Sequence, residues 1–313
     1  MEGLSKFDSF SPAAPLLPDN NPQATGMAAF YGGTDPFADA ASPVEDPTVT
    51  TQMASVLASA VQHTTIGAPE PDVVSLPAPI KYGDGWVNKA TVRELNGGDE
   101  EALARAAVSG EPERVLDALL QRGVVSIGTL APNAADLLKL AVVNRDALLL
   151  GIRIATYGTE IAFEKLSCTR CGENIELTYD LSDVPSRPPL PPGHDEGMVV
   201  PLRRGGRAVL RLPSGDDQVD ILAAIRAKNI TRAEQDTMLI GRCLVELRDA
   251  ANTEVPVNGA ETARELSMPD RTAILRALDE YRPGPRLEEA SVVCPWCEQD
   301  TEVPLSIDIL FRG

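Results

Sequence analysis

Two short cysteine pairs set the strongest limit on how this chain can fold. Cys168 and Cys171 form one Cys-x-x-Cys, Cys294 and Cys297 form another, and 122 residues lie between them. Period-two alternation flanks each pair. Glu160 to Leu166 and Asn174 to Leu181 surround the first, and Ala290 to Val293 and Thr301 to Phe311 surround the second. Each pair therefore reads as the tip of a β-hairpin. Two thiols three positions apart in a tight turn point to one side, and backbone N–H groups of the turn help hold them as thiolates. Two such turns together make a tetrahedral four-sulfur site, whose fitting occupant is one structural zinc ion with Zn–S of about 2.3 Å. The expected core of the fold is a split zinc ribbon. Its long spacer is no bar, because loop-closure cost grows only logarithmically with length.

Three rival chemistries fit less well. A thioredoxin-like redox site places its Cys-x-x-Cys at a helix N-terminus, whereas strands follow both pairs here. A catalytic zinc keeps an open position and usually has histidine ligands. The two histidines, His63 and His194, fall in an N-terminal tail and a Pro-rich loop. Disulfides suit an exported chain, and the start Met-Glu-Gly-Leu-Ser-Lys lacks the cationic and apolar segments of a secretory signal. The fifth cysteine, Cys243, sits on the apolar side of an expected helix and reads as a small core residue.

The expected fold class is α+β: a helical domain joined to the split ribbon, with a helical insertion and a disordered acidic tail. Residues 1–85 are rich in Pro, Ala, Ser, Asp and Gly with weak apolar periodicity, so they bury too little to offset their ordering entropy. Within them, Thr51 to Gln62 reads as a transient helix, or as one that folds on a partner. Residues 86–158 form the helical domain, 159–184 the first hairpin, 185–285 a Pro-rich loop with strands and helices, and 286–313 the second hairpin. Helices are expected from Asp99 to Ala107, Pro112 to Arg122, Ala134 to Val143, and from Asn144 or Asp146 to Tyr157. Further helices are expected from Ser214 to Lys228, Arg232 to Arg248 and Pro269 to Tyr281. The two cysteine hairpins are the one repeat the sequence suggests.

Charge and motifs narrow the function. Net charge is −18, and residues 1–80 hold nine acids against Lys6 alone. Such a chain is repelled by phosphate backbones, so nucleic acid is not an expected partner. No uninterrupted apolar run is long enough to span a bilayer. No dinucleotide fingerprint, P-loop, nucleophile elbow or His-Glu-x-x-His occurs, so no motif points to a small-molecule substrate, and an enzyme reading would need a nonstandard site in a deep pocket with convergent polar groups. Arg203, Arg204, Arg207 and Arg211 form a basic cluster, readable as a grip on an acidic segment or as a solvated strand edge. Trp296 reads as apolar cover over the ribbon, or as an interface anchor.

Several segments in order resemble one family. They are Val92 to Glu101, Asn144 to Gly158, the first cysteine hairpin, Leu212 to Gln218, and the closing Cys-Pro-Trp-Cys hairpin. The order is similar to the baseplate hub assembly chaperones of T-even-type contractile-tailed bacteriophages and related bacterial contractile injection systems, over residues 86–313. Arg153 to Gly158 is the most specific part. The resemblance implies a non-enzymatic protein that helps build a tail baseplate or hub by binding other tail proteins, in the bacterial cytoplasm during assembly or within the particle. Thr169 and Glu298 depart from the residues usual in such knuckles, Pro and Gly, and neither removes a ligand. A zinc-ribbon factor that binds nucleic acid or the transcription apparatus is the alternative, with charge and the scarcity of aromatics (4%) against it.

Overall fold

The computed structural model describes residues 72–82, 85–193 and 197–311. The segment 51–62 and both histidines lie outside the described residues, as does residue 71 and everything before it.

The described chain begins earlier than the sequence suggests. Residues 72–82, expected in the tail, form strand β1 (Asp72–Tyr82), which pairs antiparallel with β2 (Gly85–Val92). Pro77 and Pro79 disguise it. Proline cannot donate to a ladder, but β1 is an edge strand and its register breaks between Ser75 and Ile80, where the prolines fall. Leu76 and Ala78 are buried all the same. Next come α1 (Gly97–Ala107) and α2 (Pro112–Gly123), then β3 (Val124–Ile127), which returns to pair with β2. Helix α3 (Ala134–Lys139) is shorter than expected, and α4 (Val142–Tyr157) starts earlier. The first hairpin follows, β4 (Glu160–Ser167) and β5 (Asn174–Asp180).

The segment expected to be a helical insertion is a second copy of what precedes it. After the two-residue strand β6 (Ser186–Arg187) come β7 (Met198–Pro201) and β8 (Arg207–Leu210), then α5 (Gly215–Lys228) and α6 (Arg232–Cys243). The expected helix to Arg248 stops at Cys243, and Leu244–Arg248 is strand β9, paired with β8 as β3 is with β2. Strand β10 (Glu254–Val255) adds an edge. Helices α7 (Ala260–Glu265) and α8 (Met268–Glu280) repeat α3 and α4. Strand β11 (Gly284–Pro285) pairs with β6. The second hairpin is β12 (Ser291–Val293) and β13 (Asp300–Glu302). The strand expected through Phe311 ends there, and α9 (Ile307–Leu310) follows Pro304.

The duplication extends to individual interactions. Arg93 Nη1 donates to Asp99 Oδ2 at 2.8 Å, and Arg211 Nη1, 118 positions on, donates to Asp217 Oδ2 at 2.6 Å. Both aspartates complete capping boxes, with Asn96 and Ser214. Burial raises both carboxyls, but the arginine and the cap N–H outweigh it and hold both below the ordinary carboxylate range. Arg93 N bonds Gly123 O at 2.9 Å and Arg211 N bonds Cys243 O at 2.8 Å. From α3 onward the offset is 126. Arg145 and Arg271 each donate to the carbonyl eight residues back, Leu137 O at 3.2 Å and Ala263 O at 2.7 Å. Gly158, which caps α4, and Gly284, which opens β11 four residues after α8, both take positive φ, +80° and +82°. The four cysteines keep the same offset: 168 with 294, 171 with 297. The repeat escapes a fixed-period search because its offset drifts from 118 to 126 and few side chains are identical.

Each copy has its own core. The first gathers Val92, Leu119, Leu120, Ile127, Leu148 and Ile152, and the second gathers Leu210, Ile240, Cys243, Leu247, Ile274 and Leu278. Cys243 stands where the first copy has Gly123 and is fully buried, as expected of a core residue. Burial pushes its thiol up to about 12, so it stays protonated.

A charged cluster joins the copies. Arg282 Nη2 lies 3.1 Å from Asp146 on α4, and Arg282 Nη1 lies 2.7 Å from Glu288. Burial raises the Asp146 carboxyl to about 6. Arg282 and Arg145 oppose the rise, and Glu288 adds to it. A carboxyl raised on folding holds its proton in the folded state between about pH 4 and 6 while the unfolded chain has lost it, so this group's contribution falls as pH climbs through that window. Asp146→Asn is expected to remove that slope and to gain on the order of 3 kcal/mol relative to wild type between pH 4 and 7. Urea midpoints across that range check it, and parallel wild-type and variant curves would refute it.

Candidate metal centre

The hairpins bring all four predicted ligands to one point. The Sγ atoms of Cys168, Cys171, Cys294 and Cys297 lie within 4.8 Å of one another. Cys168 with Cys297 and Cys171 with Cys294 are each 3.7 Å apart, and each pair joins one copy to the other. A tetrahedron with metal–sulfur bonds of about 2.3 Å has edges of about 3.8 Å. The spacing therefore fits a tetrahedral thiophilic ion.

Local backbone explains why each turn delivers its thiols. Cys168 N donates to Glu173 O and Gly172 N to Cys168 O, both at 2.9 Å. Cys294 N donates to Gln299 O and Glu298 N to Cys294 O at the same 2.9 Å. The residue after each second cysteine needs positive φ. Gly172 has +76°, and Glu298 takes +56°, a conformation that costs a side-chain-bearing residue about 1 kcal/mol. The sequence departure at Glu298 thus changes strain and leaves the turn intact.

The thiols are not electrostatically equivalent. Thr301 Oγ1 donates to Cys168 Sγ at 3.3 Å, and the Arg170 N–H does so at 3.4 Å. With the Thr301 hydroxyl as the largest influence, Cys168 is lowered to about 6. Cys171 feels the lowering pull of the Glu173 N–H, yet burial and the neighbouring sulfurs push it up to about 12. Cys297 is raised in the same way, against the Gln299 N–H. Thiolates packed this closely repel one another, and a dication among them would offset that repulsion. Thr301 is fully buried and stands where the first copy has Ile175. Sequence reasoning missed it. Its signal was a hydroxyl at an inward strand position four residues after Cys297.

The hairpins rest on the helices through arginine clamps. Arg153 Nη1 donates to Gly158 O at 2.7 Å and Nη2 to Glu160 O at 2.9 Å, with the guanidinium 5.0 Å over the Tyr157 ring. This gives the Arg153 to Gly158 run a physical role: it sets the angle at which α4 turns into β4. The second copy places the arginine on the hairpin side. Arg286, at the equivalent of Glu160, reaches back to Asp279, the equivalent of Arg153, at 2.8 Å. Around the sulfurs, Ile161, Leu166, Ile175, Tyr179, Val303 and Leu305 form a third core that excludes water from Cys168 and Cys294.

Other singled-out residues fall elsewhere. Arg211 pairs with Asp217, Arg207 lies 3.8 Å from Glu246, and Arg203 and Arg204 are exposed at the β7–β8 turn. The basic cluster is thus divided between a helix cap, a strand pair and a solvated turn. Trp296 does not cover the ribbon. It is 68% exposed at the second knuckle tip.

Two tandem copies of one module, each lending two cysteines to a shared four-thiol centre, define a mixed α+β protein tied together at a site able to hold a metal ion. Its sequence matches the family model described as T4 bacteriophage base plate protein over residues 80–306, and the chain belongs to that family. No curated protein and no solved structure matches it. Among the described residues no helix is long and apolar enough to cross a membrane.

Proposed function

We propose that this chain is a non-enzymatic component or assembly factor of the baseplate or hub of a contractile tail or injection machine, acting by binding other tail proteins. The family match over most of the chain carries this reading. We further assign the ion as zinc, because four sulfurs, with no histidine or carboxylate among them in the described residues, suit a closed structural site. The metal would supply folding energy. Cys168 and Cys171 would hold it from the first copy and Cys294 and Cys297 from the second, fixing the two at one angle. A rigid two-module body of this kind can present partner surfaces at a set spacing, where tail subunits meet before or within the particle.

The test pairs elemental analysis with native mass spectrometry of the full chain co-expressed with the baseplate proteins of the same tail. One zinc per chain and a defined complex with at least one of them is the expected result. Zinc without any such complex, together with steeply salt-dependent binding to DNA or RNA, would overturn the assembly role in favour of a nucleic-acid ribbon.

A further inference from the structure

The internal duplication provides a control within one molecule. Both knuckles have the same turn, the same ladder hydrogen bonds and the same ligand duty. Whatever differs between their tips is not needed to hold a metal. The first tip is polar: Ser167, Thr169 and Arg170 are exposed beside the cysteines. The second has Val293, Pro295 and Trp296 at those positions, with Val293 64% and Trp296 68% exposed. On β12 and β13, Val292 packs inward against the metal-side core and Thr301 is buried. By strand alternation Val293 and its cross-strand partner Asp300 therefore face outward. An exposed indole beside an exposed valine is unfavourable in water and unexplained by the ribbon.

The rim states the partner's charge. From Leu287 to Phe311 there are six acids and no lysine or arginine. Three of them, Glu298, Asp300 and Glu302, are exposed on the turn and the β13 strand that border the apolar tip. That fringe repels phosphate, so bases and anionic lipid headgroups are poor company for this tryptophan. It attracts Lys and Arg, which commonly ring an apolar protein pocket.

We propose that the tip of the second knuckle, Val293, Pro295 and Trp296, is a docking surface that inserts its indole into an apolar pocket rimmed by basic residues on another baseplate protein. This rests on the baseplate reading above and adds which surface makes the contact and what chemistry receives it. The centre behind the tip then serves as a stiff mount, holding the tryptophan at the end of a hairpin that cannot splay.

The chain has two tryptophans, so Trp86→Phe leaves Trp296 as the sole tryptophan, read by excitation at the red edge where tyrosine does not absorb. This variant, with unchanged metal content and melting temperature, is titrated with each purified baseplate protein of the same tail. In the free chain Trp296 should emit as a water-exposed indole and be fully quenched by acrylamide. One partner should shift the emission to shorter wavelength and shield it severalfold. Trp296→Ala should weaken that complex at least about tenfold with metal content unchanged. Glu298→Lys with Asp300→Lys should weaken it about as much at low salt and progressively less as NaCl rises. A complex that co-elutes while Trp296 stays quenchable and Trp296→Ala binds equally would overturn the docking surface and leave the baseplate role standing. Absence of any complex by co-elution would overturn both. Shielding of Trp296 that grows with the concentration of the chain alone would also overturn the proposal, in favour of self-association.

Discussion

Replacing Cys294 with alanine is expected to abolish metal binding and to lower unfolding free energy by about 4 kcal/mol or more. Cys294 is fully buried between the hairpins, and its Sγ lies 3.7 Å from that of Cys171 in the other copy. Losing it leaves three sulfurs, which leave an ion one ligand short of the tetrahedron that structural sites close. The third core and the arginine clamps also hold the hairpins, but the core is built around the four sulfurs and depends on their staying together. The second hairpin is three residues per strand, and a two-stranded hairpin is marginal in water without support. Residues 160–180 and 287–305 should then become the first sites of proteolysis, with the two module cores persisting longer. Cys243→Ala is the matched control. Cys243 is also fully buried and also a thiol, but it touches only the second core. It should cost about 1 kcal/mol and leave metal stoichiometry untouched. Elemental analysis and urea midpoints on both variants decide the matter. If Cys294→Ala kept its metal, or if both variants lost equal stability, the clamp would be wrong. Chelation of the wild type should reproduce the Cys294→Ala curve.

The four-cysteine cluster and the mixed α+β class were legible in the sequence and the internal duplication was not, for one physical reason. Metal ligation is a local pattern: two thiols at fixed spacing in a turn flanked by alternation already fix the direction in which the sulfurs point. The module cores are not local. Val124–Ile127 and Leu244–Arg248 run straight on from helices without glycine or proline to announce a boundary, except Gly123, which itself ends a helix. Such strands exist because β2 and β8 offer free edges, and a sequence window cannot see an edge. Strand β1 was hidden by prolines that an edge position tolerates. The helix caps, by contrast, were readable. Asn133, Ser214 and Thr231 all cap as their side chains allow, since a cap is satisfied within four residues. Thr301 shows the limit from the other side. Its hydroxyl matters only because Cys168 arrives from 133 positions away.

Arg145→Met should cost about 3 to 5 kcal/mol and Arg271→Met, its duplicate, only about 1 to 2. The two arginines make the same hydrogen bond to the carbonyl eight residues back, so the difference lies in what surrounds them. Arg145 has a side chain only 1% exposed and pairs with Asp117 at 2.6 Å. Its guanidinium also fills the space over Gly215, where a Cβ would sit 2.4 Å from Nη1. That glycine opens α5 in the second copy. Gly215 N bonds Leu140 O at 3.0 Å and Val142 N bonds Pro213 O at 2.9 Å across the same seam. Arg145 therefore seals the joint between the copies, and removing it leaves Asp117 without its partner and a void at the seam. Arg271 donates to Ala263 O, Ala233 O and Thr237 Oγ1 but is half-buried, with one side left open among the described residues. Water can replace much of what it loses. Gly215→Ala should mimic Arg145→Met, since its methyl would also meet the Leu138 carbonyl oxygen at 2.7 Å, a backbone atom that cannot swing aside. Urea unfolding with metal bound throughout gives the three values. Equal losses for the two arginine variants would mean that the joint contributes nothing beyond each module's own helix packing. A larger loss at Arg145, with Gly215→Ala beside it, would locate a second clamp, built from protein alone, across the seam that the four sulfurs tie at the hairpins.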